Sequence, residues 1–202
     1  MSDIKIILVI PTVILDKKLE DLAILCVGSY MNQADEIIVV GDGGMFSQNL
    51  LQLADTYIYN KNNVGFTKTV NRGWKYASGD YVMIINSDTQ LKKGDLNDLC
   101  IPGKVTSPVI VNQYIERLAG PFWVVPREVT EERGFLLEEL KTYSSDSEYD
   151  ARVKDIFQKV ESVEIYHEQA QTVKALGIEG GIEQERDRKI YQELIDKGVA
   201  AK

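Results

Sequence analysis

Short apolar runs alternate with helix-period segments through the first 85 residues of this 202-residue chain, and that alternation restricts it to few folds. Ile4 to Ile10 is an apolar, β-branched run that breaks at Pro11-Thr12, as a strand buried on both faces does. Behind Asp16, an N-cap residue type, Leu19, Leu22, Ala23, Cys26, Val27 and Tyr30 recur at helical spacing. Glu36-Ile37-Ile38-Val39-Val40 is a second buried run, which ends in Gly41-Asp42-Gly43-Gly44, a stretch too flexible to continue a sheet. Leu50, Leu51 and Ala54 mark a short helix, and Thr56 to Tyr59 a third strand. After the turn Asn62-Asn63-Val64-Gly65, the residues Phe66, Val70, Trp74 and Ala77 trace a helix that Ser78-Gly79 ends, and Tyr81 to Ile85 follows as a strand. This β-α-β-α-β order predicts a doubly wound sheet with right-handed crossovers.

The pattern changes after Leu91, where Pro102, Gly103, Pro108, Gly120, Pro121 and Pro126 divide the chain into short extended pieces. Val105 to Val111 and Phe122 to Val125 are strand candidates. Tyr149, Val153, Ile156, Phe157 and Val160 define a later helix, with Val163 to Tyr166 as a short edge strand. Glu183 to Lys202 is charged, with a thin apolar stripe at Ile190, Tyr191, Leu194 and Ile195, and reads as a terminal helix that packs on the body or on a second copy. The length supports one core with an appendage better than two domains.

A net charge of −8 from 31 acidic and 23 basic residues argues against an electrostatic nucleic-acid binder, which needs clustered Lys and Arg. A bound cation or a metal-bridged anion suits this balance. Cys26 and Cys100 have no CxxC or Cys/His spacing, so a zinc site is not expected. Cys26 falls in a helical apolar pattern as a buried thiol, with a long-range disulfide left open. No segment has the roughly 20 apolar residues that span a bilayer, and no leader pattern opens the chain. A cytoplasmic protein is expected, with peripheral membrane contact left open.

Three strand ends carry the polar residues: Pro11-Thr12, Gly41 to Gly44, and Asn86-Ser87-Asp88. Open α/β sheets bind ligands at the carboxyl ends of their strands. Taken alone, Asn-Ser-Asp is a turn, Phe66, Trp74 and Trp123 read as core, and Gly65 only permits a turn. The order of motifs says more. It comprises Ile10-Pro11-Thr12, Glu36 to Gly44, Asn63-Val64-Gly65-Phe66, Asn71-Arg72-Gly73, Ala77-Ser78-Gly79-Asp80-Tyr81, Asn86-Ser87-Asp88-Thr89, Gly120 to Glu128, Gly134-Phe135, and Tyr143 to Glu148 followed by Arg152.

This series resembles the family 2 glycosyltransferases, and within them the rhamnosyltransferase-like branch, whose metal motif commonly begins with Asn. The resemblance runs from about residue 4 to 170. Gly41 stands where the family often has another Asp, and Ser145 replaces the first member of an acidic pair whose second is Asp146. The resemblance implies a GT-A fold: a single Rossmann-like, doubly wound α/β domain with a mixed central sheet. That domain would occupy residues 1–175, divided into a nucleotide-sugar half (1–90) and an acceptor half (91–175), with a C-terminal helical tail over 176–202.

The implied activity is metal-dependent, inverting transfer of a sugar from a nucleoside diphosphate sugar to a hydroxyl of an unidentified glycan, lipid or protein. A divalent cation stabilises the departing diphosphate as a Lewis acid, and Mg²⁺ or Mn²⁺ needs only one or two carboxylates beside phosphate oxygens and water. Asp88 is the expected ligand, with His167 a looser match. Pro11, Thr12, Asp42, Asn63, Gly65, Asn86 and Asp88 are the expected donor residues, and Arg72 a further candidate for neutralising phosphate. Asp146, which also suits a helix N-cap, is the expected base for the acceptor hydroxyl. The competing readings are a catalytically silent nucleotide-sugar-binding protein and a nucleotidyltransferase. The latter's lysine- and glycine-rich loop is replaced here by Pro11-Thr12-Val13.

Overall fold

Every residue of β1 (Ile6–Ile14) is buried in the computed structural model, which describes residues 4–118, 120–169, 171–177 and 181–199. The chain continues through α1 (Lys17–Tyr30), β2 (Glu36–Gly44), α2 (Gln48–Leu53), β3 (Thr56–Asn60), α3 (Phe66–Tyr76) and β4 (Tyr81–Ile85). Next come β5 (Thr89–Lys93), a 3-10 turn at Leu96–Leu99, β6 (Val105–Ile110), β7 (Phe122–Pro126), α4 (Arg127–Arg133), α5 (Ser145–Val153), β8 (Phe157–His167), α6 (Gln171–Leu176) and α7 (Ile182–Asp196).

The strands form one 8-stranded sheet in the order β3-β2-β1-β4-β7-β6-β8-β5. The first four in this order are parallel, while β7 enters antiparallel to both β4 and β6. Beyond them β8 lies parallel to β6, and β5 antiparallel to β8. This is the mixed α/β sheet of the expected fold class.

Alternation along β1 divides its side chains between two cores. Ile6, Leu8 and Ile10 pack with Ala23, Cys26, Val27 and Tyr30 of α1, where Tyr30 meets Phe122 edge-on at 5.8 Å. Ile7 and Val9 face Val70 and Trp74 of α3 and Tyr149 of α5 on the other side. A Cβ on Gly73 would lie 2.6 Å from Val9 Cγ1 and 2.8 Å from Val40 Cγ2, so the missing side chain is what lets α3 sit this low on the sheet. Asp16 caps α1 as expected, accepting from Leu19 N at 2.9 Å.

At the opposite, amino-terminal rim, aspartates placed just before strands secure the parallel ladder. Asp35, Asp55 and Asp80 accept from Ile6 N, Ile37 N and Lys5 N at 2.7, 2.8 and 2.8 Å. Their own backbone N–H groups return bonds to Ile6, Ile37 and Lys5 carbonyls at 3.0, 3.0 and 2.8 Å. Each carboxylate thus satisfies a donor that the start of a strand leaves open.

Several expectations are corrected. The strands do not stop at Pro11-Thr12 and Val40: β1 reaches Ile14, and β2 runs through the glycines to Gly44, pairing Gly41 with Thr12 and Tyr59, and Asp42 with Asn60. Gly43 and Gly44 at φ 73° and 71° absorb the irregular end of that ladder. The helix expected over 149–160 ends at Val153, and Phe157 and Val160 instead belong to β8, paired with Val105 and Pro108 of β6. The expected edge strand Val163 to Tyr166 is the second half of β8 and lies inside the sheet. The edge on this side is β5, whose sequence Thr-Gln-Leu-Lys-Lys is too polar to announce a strand and carries the lysines that protect an exposed edge.

Leu194 of α7 packs on Leu140, so the terminal stripe lies against the body. Cys26 and Cys100 are free, and burial pushes both thiols up to about 12. Among the described residues no helix is long and apolar enough to cross a membrane.

Substituting Asp55→Ala strands the buried end of the Ile37 N–H bond. It should lower the unfolding free energy by about 1–2 kcal/mol in urea denaturation, with Asp55→Asn, which keeps an acceptor, losing less.

Candidate functional site

The carboxyl ends of β1, β2 and β4 and the start of α3 open into a cavity of about 470 Å³, covered by α6 and the first turn of α7. Pro11, Thr12, Asp42, Asn63, Gly65, Asn86, Asp88 and His167 all line it. The structure therefore brings together the residues expected from sequence to touch donor or metal, with the exception of Arg72.

The floor is the turn after β4. Asn86 N donates to Pro121 O at 2.8 Å, and Asn86 O accepts from Thr89 N at 3.2 Å and Thr89 Oγ1 at 2.9 Å. From below, Tyr30 OH lies 3.2 Å from Thr89 Oγ1 and Cys26 Sγ donates to Asn86 O at 3.5 Å. Two buried side chains of α1 thus hold the turn that presents Asp88, which is itself only 9% exposed.

Pairing of β5 with β8 sets Thr89 opposite His167 and brings the imidazole to Asp88, with Nε2 3.2 Å from Asp88 Oδ1. The approach is close but not aligned as a hydrogen bond, so Nε2 is buried without a partner. The rest of His167 is fixed: its N–H donates to Asn112 Oδ1 at 3.2 Å, its carbonyl accepts from Asn112 Nδ2 at 2.7 Å, and Nδ1 lies 2.9 Å from the Gln113 amide. Gln113 Nε2 faces Nδ1, so Nδ1 accepts and the proton of a neutral ring sits on Nε2 beside Asp88; only the opposite amide orientation moves that proton to Nδ1 and frees the Nε2 lone pair for an ion. Asp88 O accepts from Glu168 N at 2.9 Å, and Asp88 Oδ2 from Gln171 N at 3.4 Å.

Thr12 Oγ1 and Asn86 Oδ1 are likewise buried with no hydrogen-bond partner. Three residues of one cavity wall that each hold an unsatisfied polar atom are a costly arrangement, since each unmade bond forfeits about 1–3 kcal/mol. A polar ligand or ordered water resolves it.

Asp42 has a different character. Its carboxylate accepts from Asn60 Nδ2, Val64 N and Gly65 N at 3.1, 2.8 and 3.0 Å, and its carbonyl accepts from Asn63 Nδ2 at 3.2 Å. It is the organiser of the Asn62–Gly65 turn. Gly65 itself adopts φ 95°, and a Cβ there would lie 2.8 Å from Lys141 O and 2.5 Å from Lys141 Cγ, so only glycine fits. Thr67 N donates to that same Lys141 carbonyl at 3.1 Å, capping α3 where no side chain does.

Asp146 and Arg72 are not among the residues lining the cavity. Asp146 lies in the first turn of α5, not at its N-cap, which Ser144 occupies with φ 63°. Its oxygens accept from Gly120 N at 3.2 Å and Ser147 N at 2.8 Å. Arg72 is directed to Asn60 Oδ1 and to Tyr59 O. Sequence reasoning did not anticipate Lys141, Thr142, Thr172, Val173, Leu176 and Glu183, which also line the cavity. No local pattern marks them, because tertiary packing of the last two helices brings most of them there. Among the described residues no group of three or more His, Cys, Asp or Glu side chains gathers as a metal cage.

The profile of Glycosyl transferase family 2 matches residues 13–151. Among solved structures, S. aureus TarS 1-349 in complex with UDP superposes with a TM-score of 0.63 at 14% identity, covering 80% of this chain and 60% of that one. The same protein with UDP-GlcNAc gives 0.58 at 14% identity over 80% and 58%. A mannosyltransferase from Pyrobaculum calidifontis in complex with GDP-Man and Mn2+ gives 0.63 at 15% identity over 81% and 56%. At these identities the likeness is one of fold, and the chain spans about 60% of the TarS 1-349 chain and 43% of the longer TarS chain. No curated protein sequence matches the chain. With the family profile covering more than half of its length, the chain belongs to glycosyl transferase family 2.

Proposed function

We propose that the chain transfers a sugar from a nucleoside diphosphate sugar to an acceptor hydroxyl, with inversion and with the help of a divalent cation. The observation that carries this reading is that three residues lining the cavity each hold a buried, unpartnered polar atom: Thr12 Oγ1, Asn86 Oδ1 and His167 Nε2. The UDP, UDP-GlcNAc and GDP-Man complexes of proteins that share the fold support a nucleotide-sugar donor, and the Mn2+ of one supports the cation.

Asp88 and His167 fit a hard divalent ion as a pair, one carboxylate oxygen and one imidazole nitrogen 3.2 Å apart. Two protein ligands suit an ion completed by phosphate oxygens and water. When bound, the ion supplies Lewis-acid stabilisation of the charge that develops on the departing diphosphate. Asp88 is held for this role by its backbone carbonyl bond to Glu168 N. Thr12 Oγ1 and Asn86 Oδ1 supply polar contacts to the donor, and the Asp42-braced turn at Asn63 to Gly65 closes its other side.

Asp146 takes the acceptor's proton. Both its oxygens are engaged by backbone N–H groups, which leaves lone pairs for a hydroxyl and fixes the carboxylate's direction. The position of Asp146 outside the cavity lining, with Ser145 in place of a second acid, favours one alternative: a nucleotide-sugar-binding protein without transfer activity.

Two variants separate these. Asp88→Ala should weaken Mn²⁺ binding by about a hundredfold in calorimetry. Asp146→Asn should keep donor affinity while lowering transfer about 10²- to 10⁴-fold. Wild-type protein that binds a nucleotide sugar and transfers it to no acceptor or water would establish the silent alternative.

A further inference from the structure

The cavity presents a charge problem that its expected residues do not solve. Asp42, Asp88 and Glu183 contribute carboxylates to its lining, and Lys141 is the one lysine or arginine among the described lining residues. That lysine is already occupied, because its Nζ lies 2.6 Å from Glu183 Oε1 of α7. A diphosphate entering this space meets a neutralised cation and an excess of negative charge.

We propose that Lys141 is a diphosphate-binding residue and that Glu183 is its stand-in counterion, displaced when the donor's phosphates arrive. This rests on the reading of the cavity as a donor site. The Lys141 main chain is tied in place, since its carbonyl accepts from Thr67 N at 3.1 Å and its stem lies against Gly65. Only the far end of the side chain needs to turn. The pair it leaves is partly exposed, at 38% and 28% of the two side chains, and ion pairs of that kind are weak and exchangeable. A compact ammonium with three donors matches the non-bridging oxygens of a phosphate.

Displacement of Glu183 does not require α7 to undock. Asp187, one turn further along and fully buried, accepts from Thr142 N at 2.8 Å and Tyr143 N at 2.9 Å, and Leu194 is seated on Leu140. The exchange is therefore a local swap of one anion for another beneath a helix that stays in place. Glu183 in the empty site keeps the lysine pointed inward and spares it from being an unpaired charge. It also sets a threshold: an anion must outcompete a carboxylate to bind, which favours diphosphates over singly charged metabolites.

The test is calorimetric titration of wild type, Lys141→Met, Glu183→Gln and the double variant with UDP, GDP and inorganic pyrophosphate, each with Mn²⁺. Lys141→Met should weaken the best of these ligands about tenfold, and Glu183→Gln should strengthen it about threefold by removing the competitor. In the Lys141→Met background, Glu183→Gln should change nothing further, a coupling that a merely structural strap does not produce. Lys141→Gln serves where the methionine variant fails to fold. Unchanged affinity in the lysine variants, or an equal Glu183→Gln effect in both backgrounds, overturns the counterion exchange while leaving the donor site intact. Wild type that binds none of the probes overturns the donor-site reading itself.

Discussion

The antiparallel pairing of β5 with β8 is the constraint on which the site depends. Thr89 opposite His167 fixes one register, and in that register the turn after β4 and the end of β8 must meet, bringing Asp88 and the imidazole together. A slip of one residue would send every side chain of β8 to the other face. Val160, Val163 and Ile165 would then leave the core, so the same burial that stabilises the strand also places the histidine. The outer face of the turn is free for a ligand because its inner face is tied to Tyr30, Cys26 and Pro121.

The rest of the cavity follows from how the parallel half is wound. Strands β1 and β2 overrun their expected ends, so Thr12 and Asp42 are held in the ladder where they line the cavity. Asp42 spends its acceptors on the turn that starts α3, converting a glycine-rich stretch into a fixed wall. Helices α6 and α7 then close the space from above, bringing Glu183 to Lys141. Strand ends thus lie below the cavity and a partly exposed ion pair above it.

The parallel strands and their helices were legible in the sequence because runs such as Ile37 to Val40 are buried on both faces and read as continuous apolar stretches. The second half was harder. Ile156, Phe157 and Val160 happen to continue the helical spacing of Tyr149 and Val153, but Ile156 lies in a turn and the ladder with β6 claims Phe157 and Val160 for a strand. Polar β5 gives no strand signal at all, so the register that joins Asp88 to His167 could not be read from either segment alone. Asp88 was visible through its place after an apolar strand and His167 only through the family resemblance. Lys141 and Glu183, 42 positions apart, meet by tertiary packing that leaves no local trace.

The central claim is that Asp88 and His167 hold a divalent cation together with a nucleoside diphosphate. His167 is the chain's single histidine, so its ring protons give unambiguous NMR signals. Titration of trace Mn²⁺ in the presence of UDP or GDP should broaden those signals, and Asp88→Ala should abolish the broadening. Ring signals that stay sharp while metal and nucleotide bind the wild-type protein would contradict the account.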